Sequence, residues 1–149
     1  KDLVQFAAAV SCTRDTDFDT LMNDIFRSVI QQGKVNLTDR KFSGEIAAFG
    51  VKISGEAGGL QPKFRLESPS HASAFLGTIF SHSRLTDRIP VVIVDEFDLL
   101  RNRATFEAIS NMLKQLSVDE HRLKFIFCGV ARNLDELLGS HESVERYVY

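Results

Sequence analysis

A length of 149 residues is typical of a single domain, and the composition excludes several classes of protein. With 44% hydrophobic and 26% charged residues, the chain has an ordinary globular composition and is not disordered, collagen-like or membrane-embedded. Its 18 Lys+Arg and 20 Asp+Glu residues give a net charge of −2. This balance argues against a basic nucleic-acid surface over the whole domain and leaves room for a local basic patch.

The cysteine content and the absence of a targeting segment predict a cytoplasmic protein. Cys12 and Cys128 are too few for a disulfide framework and suit a reducing compartment. No apolar run approaches the roughly 20 residues of a membrane span, and no signal peptide is recognisable. The chain begins without methionine and stops inside a predicted strand, so we expect both ends to be cut from a longer protein.

A buried strand followed by an amphipathic helix opens the chain. Residues 3–12 form a nearly continuous apolar run, which is typical of a strand buried on both faces. Apolar residues then recur at helical spacing from residue 18 to residue 30, and Gly33 is suited to end that helix. The first elements therefore predict the beginning of an α/β fold.

Residues 34–68 are the least regular part of the sequence. Glycines interrupt two short alternating pieces, 45–53 and 63–66, which predicts an inserted β-hairpin or long loop. The segment is also mildly basic. It could touch DNA, and a solvated hairpin is the other interpretation.

The second half of the chain alternates helices with strands. A helix is predicted from Pro69, a fully buried strand at 89–94, a third helix around 106–116 and another buried strand at 123–129. A short helix at 133–138 and the start of a last strand at 146–149 follow. This alternation predicts a parallel α/β sheet.

Ligands of open parallel sheets bind at the carboxyl ends of the strands, so the residues at those ends are candidates for chemistry. They are Ser11, Cys12, Asp95, Glu96, Gly129 and Arg132. Because side chains alternate along a strand, the adjacent Asp95 and Glu96 can hold different roles. One carboxylate can reach hydrated Mg²⁺, and the other can orient or deprotonate a water molecule. The alternative is that these acids, and Asp98 after them, cap the next helix or turn.

Residues 91–100, VVIVDEFDLL, resemble the Walker B region of AAA+ ATPases, especially the origin-recognition and initiator branch. The strand near 125–128 falls where that family has its sensor-1 strand, and residues 129–146 are similar to the following stretch of bacterial members. The resemblance implies an incomplete three-layer α/β fold of the P-loop NTPase type. Residues 1–149 would be a partial AAA+ core, from strand 2 through the start of strand 5, with residues 34–68 as an insertion.

The same resemblance implies roles for particular residues. Asp95 would hold Mg²⁺ through water, and Glu96 would polarise the water that attacks ATP. Arg132 and Asn133, just beyond the sensor-1 strand, would contact the nucleotide. Arg146 matches the position of an arginine finger; an exposed arginine paired with a neighbouring glutamate is the other interpretation.

No G-x-x-x-x-G-K-[ST] motif occurs in the sequence, so we expect the phosphate-binding loop and the lid to lie outside it. The resemblance implies ATP hydrolysis that drives assembly of a homo-oligomer, acting on DNA or a partner protein. The alternative is a degenerate, non-catalytic NTPase-like interaction module. A helicase DExD box and a metal-dependent nuclease are weaker interpretations, because the motifs that accompany them are absent.

Overall fold

The computed structural model describes residues 4–32, 39–49, 68–82, 88–119 and 123–130. Three strands and four helices follow one another in the order β1 (Val4–Ser11), α1 (Phe18–Gln31), α2 (Arg40–Ala47), α3 (Pro69–Ser81), β2 (Ile89–Asp95), α4 (Arg103–Val118) and β3 (Lys124–Phe127). A single 3₁₀ turn, Phe97–Leu99, lies between β2 and α4. The predicted α/β class and the predicted positions of these three strands are confirmed.

The strands pair in parallel in the order β1-β2-β3, so the strand that ends in acid lies between the other two. Their register aligns two rows of side chains that enter the core. One row joins Ala8, Val92 and Phe125, and the next joins Val10, Val94 and Phe127. Because all three strands run in the same direction, their carboxyl ends meet at one edge of the sheet.

The opposite face of the sheet is only partly covered: Val91, two residues before Ile93 on β2, is buried, whereas the row nearer the carboxyl ends is more exposed. The row Ala9, Ile93 and Ile126 runs across it; Ala9 is exposed, Ile93 half-buried and Ile126 47% exposed. The predicted burial on both faces holds for residues 91–94 of β2, which are buried or half-buried, but it is wrong for β3, where Lys124 and Ile126 are exposed, and for Ala9 of β1. The third layer of the predicted fold is not among these elements.

Helix α1 forms as its sequence pattern predicts. Its apolar stripe is buried and consists of Leu21, Met22, Ile25, Phe26 and Val29. Asp17 caps the amino end by accepting a hydrogen bond from the Thr20 backbone N–H (2.8 Å). The helix ends at Gln31; Gly33, which was predicted to end it, lies outside the described residues.

Helix α2 corrects the predicted hairpin or loop at 34–68. Asp39 caps this helix, and Phe42 and Ile46, four residues apart, are both fully buried. Phe49 then packs its ring against Phe75 of α3, with centroids 5.4 Å apart. The glycines in this segment led to the wrong prediction of a hairpin or loop. The helix is stabilised by the burial of Phe42 and Ile46 and by packing against α3, which a local sequence pattern does not show. Residues 50–67, including the predicted strand 63–66, lie outside the described residues, as do the predicted elements 133–138 and 146–149.

Helix α3 is confirmed on its predicted face and packs mainly on α4. The two helices are joined by the buried Ser73, whose hydroxyl donates to the Asp119 carboxylate (3.1 Å). Among the described helices, none combines the length and the apolar character needed to cross a membrane.

Replacement of Asp17 by Ala is expected to lower the free energy of unfolding by about 1 kcal/mol near neutral pH, because the first turn of α1 loses its cap. Hydrogen bonds from the Thr20 side chain and backbone lower the pKa of Asp17. The stabilisation is therefore present above the unfolded pKa and disappears as pH falls through the folded one. Urea unfolding at pH 7 and pH 3 measures this difference. Asp15→Ala, in the exposed preceding turn, is the control and should change little at either pH.

Candidate active site at the carboxyl edge of the sheet

Backbone hydrogen bonds join the carboxyl ends of the three strands. The Cys12 N–H donates to the Asp95 carbonyl (2.9 Å), and the Cys128 N–H donates to the Val94 carbonyl (2.8 Å). The Phe97 N–H in turn donates to the Cys128 carbonyl (2.8 Å). The segment 95–97 is therefore held from both neighbouring strands.

Asp95 ends the central strand with an exposed carboxylate. Its Oδ1 accepts a hydrogen bond from the backbone N–H of Glu96 (2.8 Å). No hydrogen bond from a described residue reaches its other oxygen. The carboxylate is thus oriented by its own turn and still offers an acceptor at the sheet edge.

Glu96 has an unusual backbone. Its φ of 53° and ψ of 32° place it in the left-handed region, and in the described part of the chain no other non-glycine residue has a positive φ. A residue with a Cβ pays roughly 1–2 kcal/mol for this conformation. Such strain is often found at functional sites, where the surrounding structure holds it in place.

The Glu96 side chain turns towards β1. Its Oε2 accepts a hydrogen bond from the Ser11 hydroxyl (2.8 Å), while Asp95 bonds to its own turn. The two adjacent carboxylates therefore have separate partners; Glu96 lies beyond the end of β2, so the left-handed turn, and not strand alternation, sets the direction of its side chain. Ser11 was among the residues predicted at this edge, but its contact with Glu96 depends on the register Ser11↔Asp95, which the sequence does not give.

The acids do not cap helix α4, although Asp95 accepts a hydrogen bond from a backbone N–H of the turn that follows β2. Glu96 precedes the 3₁₀ turn but makes no side-chain capping hydrogen bond. Helix α4 is capped by Asn102, whose Oδ1 accepts from the Ala104 N–H (2.9 Å), and not by Asp98. The acidic residues at the end of β2 are therefore not needed to begin the next helix.

Phe97 is the residue that the sequence analysis missed. Its ring is 1% exposed and packs against Phe127 of β3 and Phe106 of α4, with centroids 4.5 and 5.3 Å away. The sequence gives one indication of its burial: Phe97 is an aromatic residue directly after the acidic pair, where the strand pattern has already ended.

Cys12 lies beside the acidic residues and is fully buried, whereas Cys128 is half-buried rather than buried as predicted. Both thiols are free. The pKa of Cys12 is raised to about 11 by burial and, to a smaller extent, by three carboxylates, Asp24, Glu96 and Asp95. Cys12 is therefore a neutral packing residue at physiological pH and not a nucleophile.

The other predicted site residues, Arg132, Asn133 and Arg146, lie outside the described residues. Within the described ranges, no group of three or more His, Cys, Asp or Glu side chains is arranged to hold a metal ion. The chain was compared with protein-family models, with curated proteins and with solved structures, and none of them matched. The chemistry proposed below therefore depends on the sequence pattern and on the geometry at this edge.

The left-handed backbone of Glu96 predicts that Glu96→Gly is more stable than Glu96→Ala by about 1 kcal/mol, because only glycine adopts this conformation without strain. Both variants lose the bond to Ser11, so the comparison isolates the backbone. Urea unfolding measures the difference. At the exposed Glu107 of α4 the same pair should show the reverse order, since glycine weakens an ordinary helix by about 1 kcal/mol. Equal stability of the two Glu96 variants would show that the backbone at this position is not strained.

Iodoacetamide at pH 8 is expected to label Cys128 well before Cys12. With a pKa of about 11, roughly one Cys12 thiol in a thousand is ionised at that pH, and the side chain is also inaccessible. Peptide mass spectrometry over time distinguishes the two sites, and labelling in denaturant shows that both can react. In Cys128→Ser the native protein should remain almost unlabelled; rapid labelling of Cys12 there would show that this edge opens.

Proposed function

We propose that the complete protein binds ATP and hydrolyses it with Mg²⁺, and that Asp95 and Glu96 are the acidic residues of that reaction. The observation that carries the proposal is the separation of roles between these adjacent carboxylates. Asp95 keeps an acceptor oxygen at the sheet edge, while Glu96 is turned by a strained backbone towards Ser11. Helix capping, the competing explanation, does not use either side chain.

Asp95 suits a water-mediated contact with Mg²⁺. Mg²⁺ in phosphoryl-transfer sites is held by one or two carboxylates together with substrate phosphates and retained waters. A cage of several protein ligands is not required, and among the described residues there is none. When bound with ATP, the ion would supply neutralisation of the phosphate charge. The contribution of Asp95 is a carboxylate whose orientation is fixed by the Glu96 N–H.

Glu96 suits the task of orienting the attacking water. Its Oε1 carries no hydrogen bond from a described residue, so it can accept one from a water molecule while Ser11 holds Oε2. The water oxygen forms a bond to the γ-phosphorus as the bond from that phosphorus to the β–γ bridging oxygen breaks. The proton of the water passes to the carboxylate, and ADP leaves with the electron pair. Positioning of the water is the main protein contribution in such reactions.

The proposal requires a phosphate-binding loop from outside residues 1–149, since none occurs within them. Arg132 and Asn133 as nucleotide contacts, and Arg146 as an arginine finger, remain predictions of the AAA+ resemblance. Assembly into a homo-oligomer and action on DNA or a partner protein are also predictions of that resemblance. Together they describe an ATP-driven switch of the AAA+ type.

A non-catalytic interaction module with an NTPase-like fold is the second candidate. The absence of a phosphate-binding motif from the sequence favours it. Nucleotide binding separates the two candidates, because a module without a phosphate cradle would not bind ATP even when Asp95 and Glu96 are intact.

Glu96→Gln in the complete protein is expected to bind ATP with near-normal affinity and to hydrolyse it at least about a hundredfold more slowly, because the amide cannot accept the proton of the attacking water. Single-turnover hydrolysis and equilibrium binding of a fluorescent ATP analogue measure the two effects. The matched control is Glu107→Gln, an exposed carboxylate on α4, which should leave both unchanged. Unchanged hydrolysis in Glu96→Gln would overturn the proposed function.

A further inference from the structure

The left-handed backbone of Glu96 has to be held in place, because a residue with a Cβ relaxes from this conformation when it is free to do so. Both peptide groups next to Glu96 are hydrogen-bonded. Its own N–H donates to Asp95 Oδ1, and its carbonyl accepts from the Leu99 N–H (2.9 Å). These bonds lie within the turn itself, so they would move with the turn and do not fix it to the sheet.

Phe97 attaches the far side of this turn to β3, whereas the Cys12 N–H attaches the near side to β1 through the Asp95 carbonyl (2.9 Å). The Phe97 N–H belongs to the peptide group that also defines ψ of Glu96, and it donates to the Cys128 carbonyl at the end of β3 (2.8 Å). Rotation about that ψ would break the bond. The Phe97 ring adds contacts from two further directions, Phe127 of β3 and Phe106 of α4.

We propose that Phe97 is a positioning residue for Glu96: its buried ring and its backbone bond to Cys128 fix the strained turn that directs the Glu96 carboxylate towards Ser11 and the sheet edge. This inference rests on the proposed function. Phe97 does not touch the reacting atoms. It acts by preventing the turn from relaxing, which would move the carboxylate away from the water that it orients.

An ordinary core phenylalanine would have a different signature. Its loss lowers stability, and the activity of the folded fraction is unchanged. A positioning residue instead lowers kcat in the folded protein with little effect on KM, because misplacement of a catalytic group by about 1 Å can cost about a hundredfold in rate. Phe75 on α3 offers a matched control: it is fully buried, and its ring contacts Phe26 and Phe49, neither of which belongs to the acidic turn, at centroid distances of 5.3 and 5.4 Å.

The test compares Phe97→Leu and Phe75→Leu in the complete protein by steady-state ATP hydrolysis. Phe97→Leu is expected to lower kcat about tenfold or more with KM for ATP within about threefold. Phe75→Leu should leave both within about twofold while it lowers the midpoint of urea unfolding. In the Glu96→Gln background, Phe97→Leu should change the residual rate less than twofold, because the carboxylate that it positions is gone.

A kcat for Phe97→Leu equal to that of Phe75→Leu would overturn the positioning role while the proposed function stands, provided Glu96→Gln is inactive. An equal tenfold loss in the Glu96→Gln background would also overturn it, because the effect would then bypass Glu96. Hydrolysis unchanged in Glu96→Gln would overturn both proposals. If Phe97→Leu does not fold, Phe97→Met, whose flexible side chain can fill irregular core space, is tested by the same two comparisons.

Discussion

The left-handed turn at Glu96 is the constraint on which the candidate site depends. It places a glutamate in a conformation that costs roughly 1–2 kcal/mol and would suit glycine better. The protein maintains it with contacts from both neighbouring strands: Ser11 at the end of β1 binds the side chain, and Cys128 at the end of β3 binds the backbone through Phe97. A turn that served only to connect β2 to α4 could place a glycine at this position and avoid the conformational strain of a left-handed glutamate.

The sheet order gives this arrangement its physical basis. Because β2 lies between β1 and β3, the residues after its last position can be reached from either side. A strand at the edge of these three would offer one neighbour only. The hydrogen bonds across the carboxyl edge therefore fix Asp95 and Glu96 to the strands on both sides, and a group that must orient a water molecule needs such support.

The packing connects the hydrophobic core with the site at the carboxyl edge of the sheet, because Phe97 belongs to that core. Side chains of one face enter a core formed with α1, α2, α3 and α4, while on the other face Ile93 is half-buried and Ile126 is exposed. Phe97 directly follows the acidic pair and is buried in this core, so the same residue stabilises the fold and holds the acidic turn. The fold alone does not specify chemistry; the case for ATP hydrolysis comes from the carboxylates, their separate partners and the Walker B resemblance.

The sequence by itself determined the α/β class, the three strands, the helices α1, α3 and α4 and the acidic pair, because each depends on a local hydrophobic period or on adjacent residues. It missed α2, since the burial of Phe42 and Ile46 depends on the helix that receives them. Asn102 rather than Asp98 caps α4, a choice set by backbone geometry. Only the tertiary structure decided that Ser11 meets Glu96 and that Phe97 fixes the turn. These contacts join residues of separate strands, and their distances depend on the strand register, which no local pattern contains.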